Sequence, residues 1–154
     1  MKRLFIFYIL FYSLNLSAEF VDIQADHFYA NDINLMASFE GNAQIKQNNN
    51  EFNSSKIMVF FNKERQAQKY EAEGDVSFDL TENGIHYKGK AQKVIYSPNS
   101  SKYLFSGNVI LNDLTNNRLI KAQTVSLDLK TGLADIKGGK KKPVHFRFEI
   151  EDRK

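Results

Sequence analysis

The side chains able to do chemistry are few and scattered. Histidine stands only at His27, His86 and His145, and no two of these have a metal-ligand spacing such as His-x-x-x-His. Glu71, Glu73, Asp75 and Asp79 are close enough in sequence to suggest paired catalytic carboxylates or a calcium cage. On a strand, however, alternate residues share one face, and these four fall together on the polar, solvated one. Ser54-Ser55 has no matching base, and no Gly-x-Ser-x-Gly elbow occurs. Gly138-Gly139-Lys140-Lys141-Lys142 has no strand-loop-helix frame for a phosphate loop and reads as a solvated terminal loop. Cysteine is absent, which removes disulfides, thiolate metal sites and a cysteine nucleophile. These residues describe a chain that is not an enzyme and calls for no metal and no cofactor.

The elements that position these residues begin after a leader. Met1-Lys2-Arg3 is a short basic start, Leu4 to Tyr12 is an unbroken apolar run, and the run fades into Ser17-Ala18. That order predicts a signal peptide over residues 1–18 and one domain over 19–154. An uncleaved anchor would need about 20 apolar residues, and Asn15 and Glu19 interrupt sooner. The remaining 136 residues carry a net charge of +1. An exported, nearly neutral chain in which no basic face dominates argues against nucleic acid as a partner.

A repeat runs through that domain. Ala37-Ser-Phe39-Glu-Gly41-Asn-Ala43-Gln-Ile45, Tyr70-Glu-Ala72-Glu-Gly74-Asp-Val76-Ser-Phe78 and Tyr103-Leu-Phe105-Ser-Gly107-Asn-Val109-Ile-Leu111 share one pattern. Their glycines are 33 residues apart, and each is followed by Asn or Asp and then a small or β-branched residue. Ala25, Ala91 and Ala122 each stand 16 residues before a glycine; the second unit breaks this spacing and has Ser54-Ser55-Lys56 in place of the alanine. The fourth unit ends in Gly138-Gly139, with nothing matching Gly-Asn-Val after it.

Each unit reads as strands, because apolar and polar residues alternate with period two. In the second unit Tyr70, Ala72, Gly74, Val76, Phe78 and Leu80 share the apolar face. A glycine in mid-strand marks a bend or a close approach, and repeated bends let layers stack. Four units of two to four short strands then predict an all-β protein, an open β-jelly roll or short solenoid. Phe39, Ile45, Val76, Phe78, Phe105, Val109, Leu111, Val125, Leu127 and Leu129 line its interior.

An alanine-anchored strand followed by a Gly-Asn-Val strand, in tandem and after a leader, resembles the OstA-like lipopolysaccharide transport family over residues 20–139. The resemblance implies an open β-jelly roll whose apolar trough holds the acyl chains of lipopolysaccharide. Phe39, Ile45, Val76, Phe78, Phe105, Val109, Leu111, Val125 and Leu127 would then be the lipid-binding residues. It also implies a periplasmic protein that stacks head to tail and links inner-membrane and outer-membrane transport proteins. The pathway's inner-membrane-anchored member has the same fold, and only residues 4–18 separate the two readings.

A different class is a small eight-stranded outer-membrane β-barrel, which this length and alternation permit. The charged finish Glu151-Asp152-Arg153-Lys154, the small residues at the centres of the apolar faces and the absence of Trp argue against it.

Overall fold

The repeated Gly-Asn/Asp pairs set the shape. In the computed structural model, which describes residues 20–150, Gly41-Asn42, Gly74-Asp75 and Gly107-Asn108 all have positive φ, between +46° and +83°. That backbone costs an ordinary L-residue about 1–2 kcal/mol, nothing for glycine and least otherwise for Asn or Asp. The steric rule explains the invariant order of residue types within the three pairs. Each pair is a β-bulge: between the fourth and fifth strands, for example, the register jumps from Asn53↔Ser77 to Lys56↔Glu73. Bulges bend and twist the strand that carries them.

Ten antiparallel strands result: β1 Val21–Gln24, β2 His27–Asn31, β3 Met36–Gln47, β4 Asn50–Phe61, β5 Ala67–Glu82, β6 Ile85–Ser97, β7 Lys102–Asp113, β8 Arg118–Asp128, β9 Leu133–Lys137 and β10 His145–Phe148. They lie in the order β1-β3-β4-β5-β6-β7-β8-β10, with β2 also on β3 and β9 also on β8. Position across the sheet therefore follows position in the chain. The first and last strands do not pair with each other, so the sheet stays open and the barrel alternative is not supported.

The line of bulges creases the sheet into two arms. Arm I holds β2, 36–40, 56–61, 67–73, 93–97, 102–106, 124–128 and β9. Arm II holds β1, 43–47, 50–53, 76–82, 85–90, 109–113, 118–121 and β10. Two apolar rows face each other across the fold. Arm I runs Phe28, Phe39, Ile57, Ala72, Val94, Phe105, Val125, Ile136 in register. Arm II runs Ile23, Ile45, Phe52, Phe78, Gly89, Leu111, Ile120, Phe146. Phe78 and Phe105, on opposite arms, meet with ring centroids 4.8 Å apart. Fully burying side chains of this size contributes about 1.5–3 kcal/mol each.

Small residues let the arms converge at the crease. Ser54, Ala91 and Ala122 sit opposite Ala43, Val76 and Val109 beside the bulges. In the second unit, which breaks the 16-residue spacing, Ser54 of the Ser54-Ser55-Lys56 stretch is the residue that takes the alanine's place. Gly89 serves a different close approach: a Cβ there would lie 2.0 Å from the Ile110 carbonyl oxygen and 2.8 Å from the Phe78 ring.

Three expectations are corrected. The central strands are long, 11 to 16 residues, because each crosses both arms. Gly74 is exposed at the bulge rather than on the apolar face, because the extra residue interrupts the alternation. Glu71 is not solvated: it is 8% exposed and lies 3.4 Å from Lys69 and 3.9 Å from Lys93. The expected signal peptide, residues 1–18, and with it the choice between leader and anchor, lies outside the described residues.

Candidate functional site

All nine residues singled out for lipid contact fall in the apolar interior between the arms. Val76, Phe78, Phe105, Val109, Leu111 and Val125 are at most 4% exposed and form its floor, while Phe39, Ile45 and Leu127 are half-buried nearer the margin. Of the nine, only Ile45 reaches the cavity that opens between the arms. Its other apolar walls are Phe52 from arm II and Ile57, Tyr70, Ala72, Val94, Tyr96 and Tyr103 from arm I, with Gln47 and Asn50 as polar groups at the rim.

The tyrosines and Phe52 are the lining that sequence reasoning missed. A signal was present: Tyr70 and Tyr103 each stand four residues before a repeat glycine. Register then places Tyr70, Tyr96 and Tyr103 side by side on β5, β6 and β7. Tyr96 and Tyr103 stack at 4.4 Å, Tyr70 and Tyr96 at 6.2 Å, and Phe52 approaches Tyr103 at 6.2 Å across the arms. This makes a wall that is greasy on its faces and polar at its tips.

One polar contact ties the mouth. The Tyr103 hydroxyl donates to Glu82 Oε1 at 3.1 Å, and the Asn50 amide donates to the same oxygen at 3.0 Å. Tyr103 belongs to arm I and Glu82 to arm II, so the bond bridges the arms. Burial pushes the Tyr103 phenol far up, and the Glu82 charge and hydrogen bond push it further, so it remains a neutral donor. Burial likewise raises Tyr70. The space between these walls is ≈ 40 Å³, enough for a few waters at most.

The groups weighed for chemistry lie elsewhere. His86 Nε2 is 2.6 Å from Asp79 Oδ1 on the outer face of arm II, with Lys88 3.8 Å from the same carboxylate. His27 approaches Glu40 at 4.0 Å, and His145 sits on the edge strand β10. Lys140, Lys141 and Lys142 occupy the exposed loop between β9 and β10. Among the described residues, no three His, Asp or Glu gather so as to hold a metal ion, and no helix is long and apolar enough to cross a membrane.

The fold has a close counterpart among solved structures. LptH from Pseudomonas aeruginosa, described as the LptA-homologous periplasmic component of the conserved lipopolysaccharide transport device, superposes with a TM-score of 0.72. The match covers 84% of this chain and 95% of that one at 8% identity, so it speaks to the fold alone. No curated protein sequence matches this chain. Residues 22–133 match the family described as LptA/(LptD N-terminal domain) LPS transport protein, a span from β1 into β9 that holds every bulge and every residue lining the cavity. The creased open sheet and this match give one answer: the chain belongs to the LptA/LptD N-terminal domain family of lipopolysaccharide transport proteins.

Proposed function

We propose that this chain carries lipopolysaccharide through the periplasm, holding the acyl chains of lipid A between its two arms. Protomers stack head to tail into a bridge between inner-membrane and outer-membrane transport proteins. The carrying observation is the pair of apolar rows that face each other across the sheet, from β2 to β9 on arm I and from β1 to β10 on arm II, with Gly89 the one position lacking a side chain. Phe78 and Phe105 at their centre form the floor, and Ile45, Phe52, Tyr96 and Tyr103 form the walls that acyl chains meet first. Burial contributes about 0.8 kcal/mol per CH₂, so a few chains suffice for tight, side-chain-tolerant holding without any catalytic step.

The space of ≈ 40 Å³ between the arms is far smaller than an acyl chain. An open sheet lets the arms part to load a chain, because no last strand seals it. Both edges also remain free to accept another strand.

A photoreactive residue at Phe52 or Tyr96 tests this reading against one at Ser77, on the outer face. Crosslinking in cells should yield lipopolysaccharide adducts from the first two positions and none from Ser77. Equal yields from all three, or adducts from Ser77 alone, would overturn the trough assignment.

A further inference from the structure

The chain's near-neutral total conceals a strong separation of charge. Residues 20–84 carry 5 Lys/Arg against 11 Asp/Glu, a net −6, and residues 85–150 carry 12 against 4, a net +8. Because sheet order follows chain order, this division is spatial: β1 to β5 are acidic and β6 to β10 are basic. The expectation that no basic face dominates is thereby corrected, since it rested on the sum alone.

The polarity is sharpest at the two open edges. The β1–β2 end, residues 20–33, holds Asp22, Asp26 and Asp32 and no Lys or Arg of its own, with Arg65 of the β4–β5 loop 3.6 Å from Asp32. The β9–β10 end, residues 133–149, holds Lys137, Lys140, Lys141, Lys142 and Arg147 against Asp135 and Glu149, a net +3. Each end also exposes apolar rings in line with the trough rows, Phe28 at one and Phe146 and Phe148 at the other.

We propose that this charge dipole sets the direction of assembly: the basic β10 end of one copy docks on the acidic β1 end of the next. This inference rests on the end-to-end association proposed above and adds what makes it directional. Strands added at an edge lie about 4.8 Å away, well within a Debye length of about 10 Å at 0.1 M salt, so the facing charges interact. Like ends repel, which excludes the two symmetric dimers, head to head and tail to tail, that would stop growth.

Sedimentation of the full chain at about 50 mM and about 500 mM salt tests this, with two charge reversals made in exposed residues. These are Asp22→Lys with Asp32→Lys at the head, and Lys140→Glu, Lys141→Glu and Lys142→Glu at the tail. Wild-type association should weaken at least ~tenfold as salt rises, and each reversal alone should weaken it by as much at low salt. The chain carrying both reversals, whose poles are exchanged, should regain it. Association indifferent to salt and to both reversals would overturn the directional role of charge while leaving stacking intact. A wild-type chain that stays monomeric at every concentration would overturn stacking and this inference together, and monomeric circular dichroism unchanged among variants excludes misfolding as the cause.

Discussion

At the residue scale the strongest constraints sit where the backbone is left-handed. A Cβ at Gly74 would lie 2.6 Å from the Cβ and Oγ of Ser55, and its φ is +83°. Gly74→Val combines that overlap with backbone strain and should lower stability by about 2–4 kcal/mol. Ser77→Val, on the outward face of the same strand, should stay within about ±0.5 kcal/mol. Urea midpoints compare the two, and equal midpoints would refute the bulge assignment. Asp113, 2% exposed, offers a second test. Burial by itself would push its carboxyl up, but hydrogen bonds from the Asn116 side chain and backbone and from Arg118, with the Arg118 charge, hold it below the usual carboxylate range. A carboxyl depressed on folding contributes stability that is fully present above its unfolded pKa of about 3.9, and the contribution is lost as pH falls through the folded value. Asp113→Asn should cost about 1–3 kcal/mol near neutrality and flatten the stability profile in that acid window. An unchanged acid profile would show that this turn is not what the carboxylate holds. The glycine pattern was legible in the sequence because Gly, and after it Asn or Asp, adopts this backbone at least cost. Its facing was not, because the bulge takes Gly74 out to solvent while Ala72 and Val76 on either side of it stay buried.

The elements were largely legible for the same local reasons. Alternation and turn residues locate β5, β6 and β7, and the tail Val144 to Ile150 contains β10 as its alternation indicates. Their full length was not legible: the alternation reads through each glycine, but how far a strand runs is decided by its pairing with both neighbours. The tyrosine wall was hidden for a related reason: Tyr70, Tyr96 and Tyr103 become neighbours only through register, which hairpin geometry decides. Edge strands matter most for assembly, because their outer N–H and C=O groups are unpaired. β10 contacts the sheet only through residues 118–121 of β8, and its residues are exposed throughout. Deleting residues 144–154 should therefore leave the strand signal in circular dichroism intact while abolishing self-association in light scattering. A truncated chain that associates as the full chain does would place the docking edge elsewhere.

For the whole molecule, the question is what it costs to open the arms. Apolar floor residues resist opening, and the Tyr103–Glu82–Asn50 contact closes the mouth at its rim. If loading requires this contact to break, its energy opposes binding: Tyr103→Phe should lower the stability of the empty protein by about 0.5–1.5 kcal/mol yet leave lipid affinity equal or slightly higher. A ring remains at 103 to line the trough, and only the tie is lost. Bound lipid should stabilise both proteins, since a ligand at 100 times its Kd adds about 2.7 kcal/mol, a rise in Tm of roughly 5–10 °C for a chain of this size. Tyr103→Glu differs, because it places a second carboxylate beside Glu82 within apolar walls and should remove most of the lipid-induced rise. Thermal melts of the three proteins with and without lipid A separate these cases. Should Tyr103→Phe fold normally yet bind lipid more than about tenfold more weakly, the hydroxyl itself would be a lipid contact, and parting of the arms at this tie would not be the step that loads the trough.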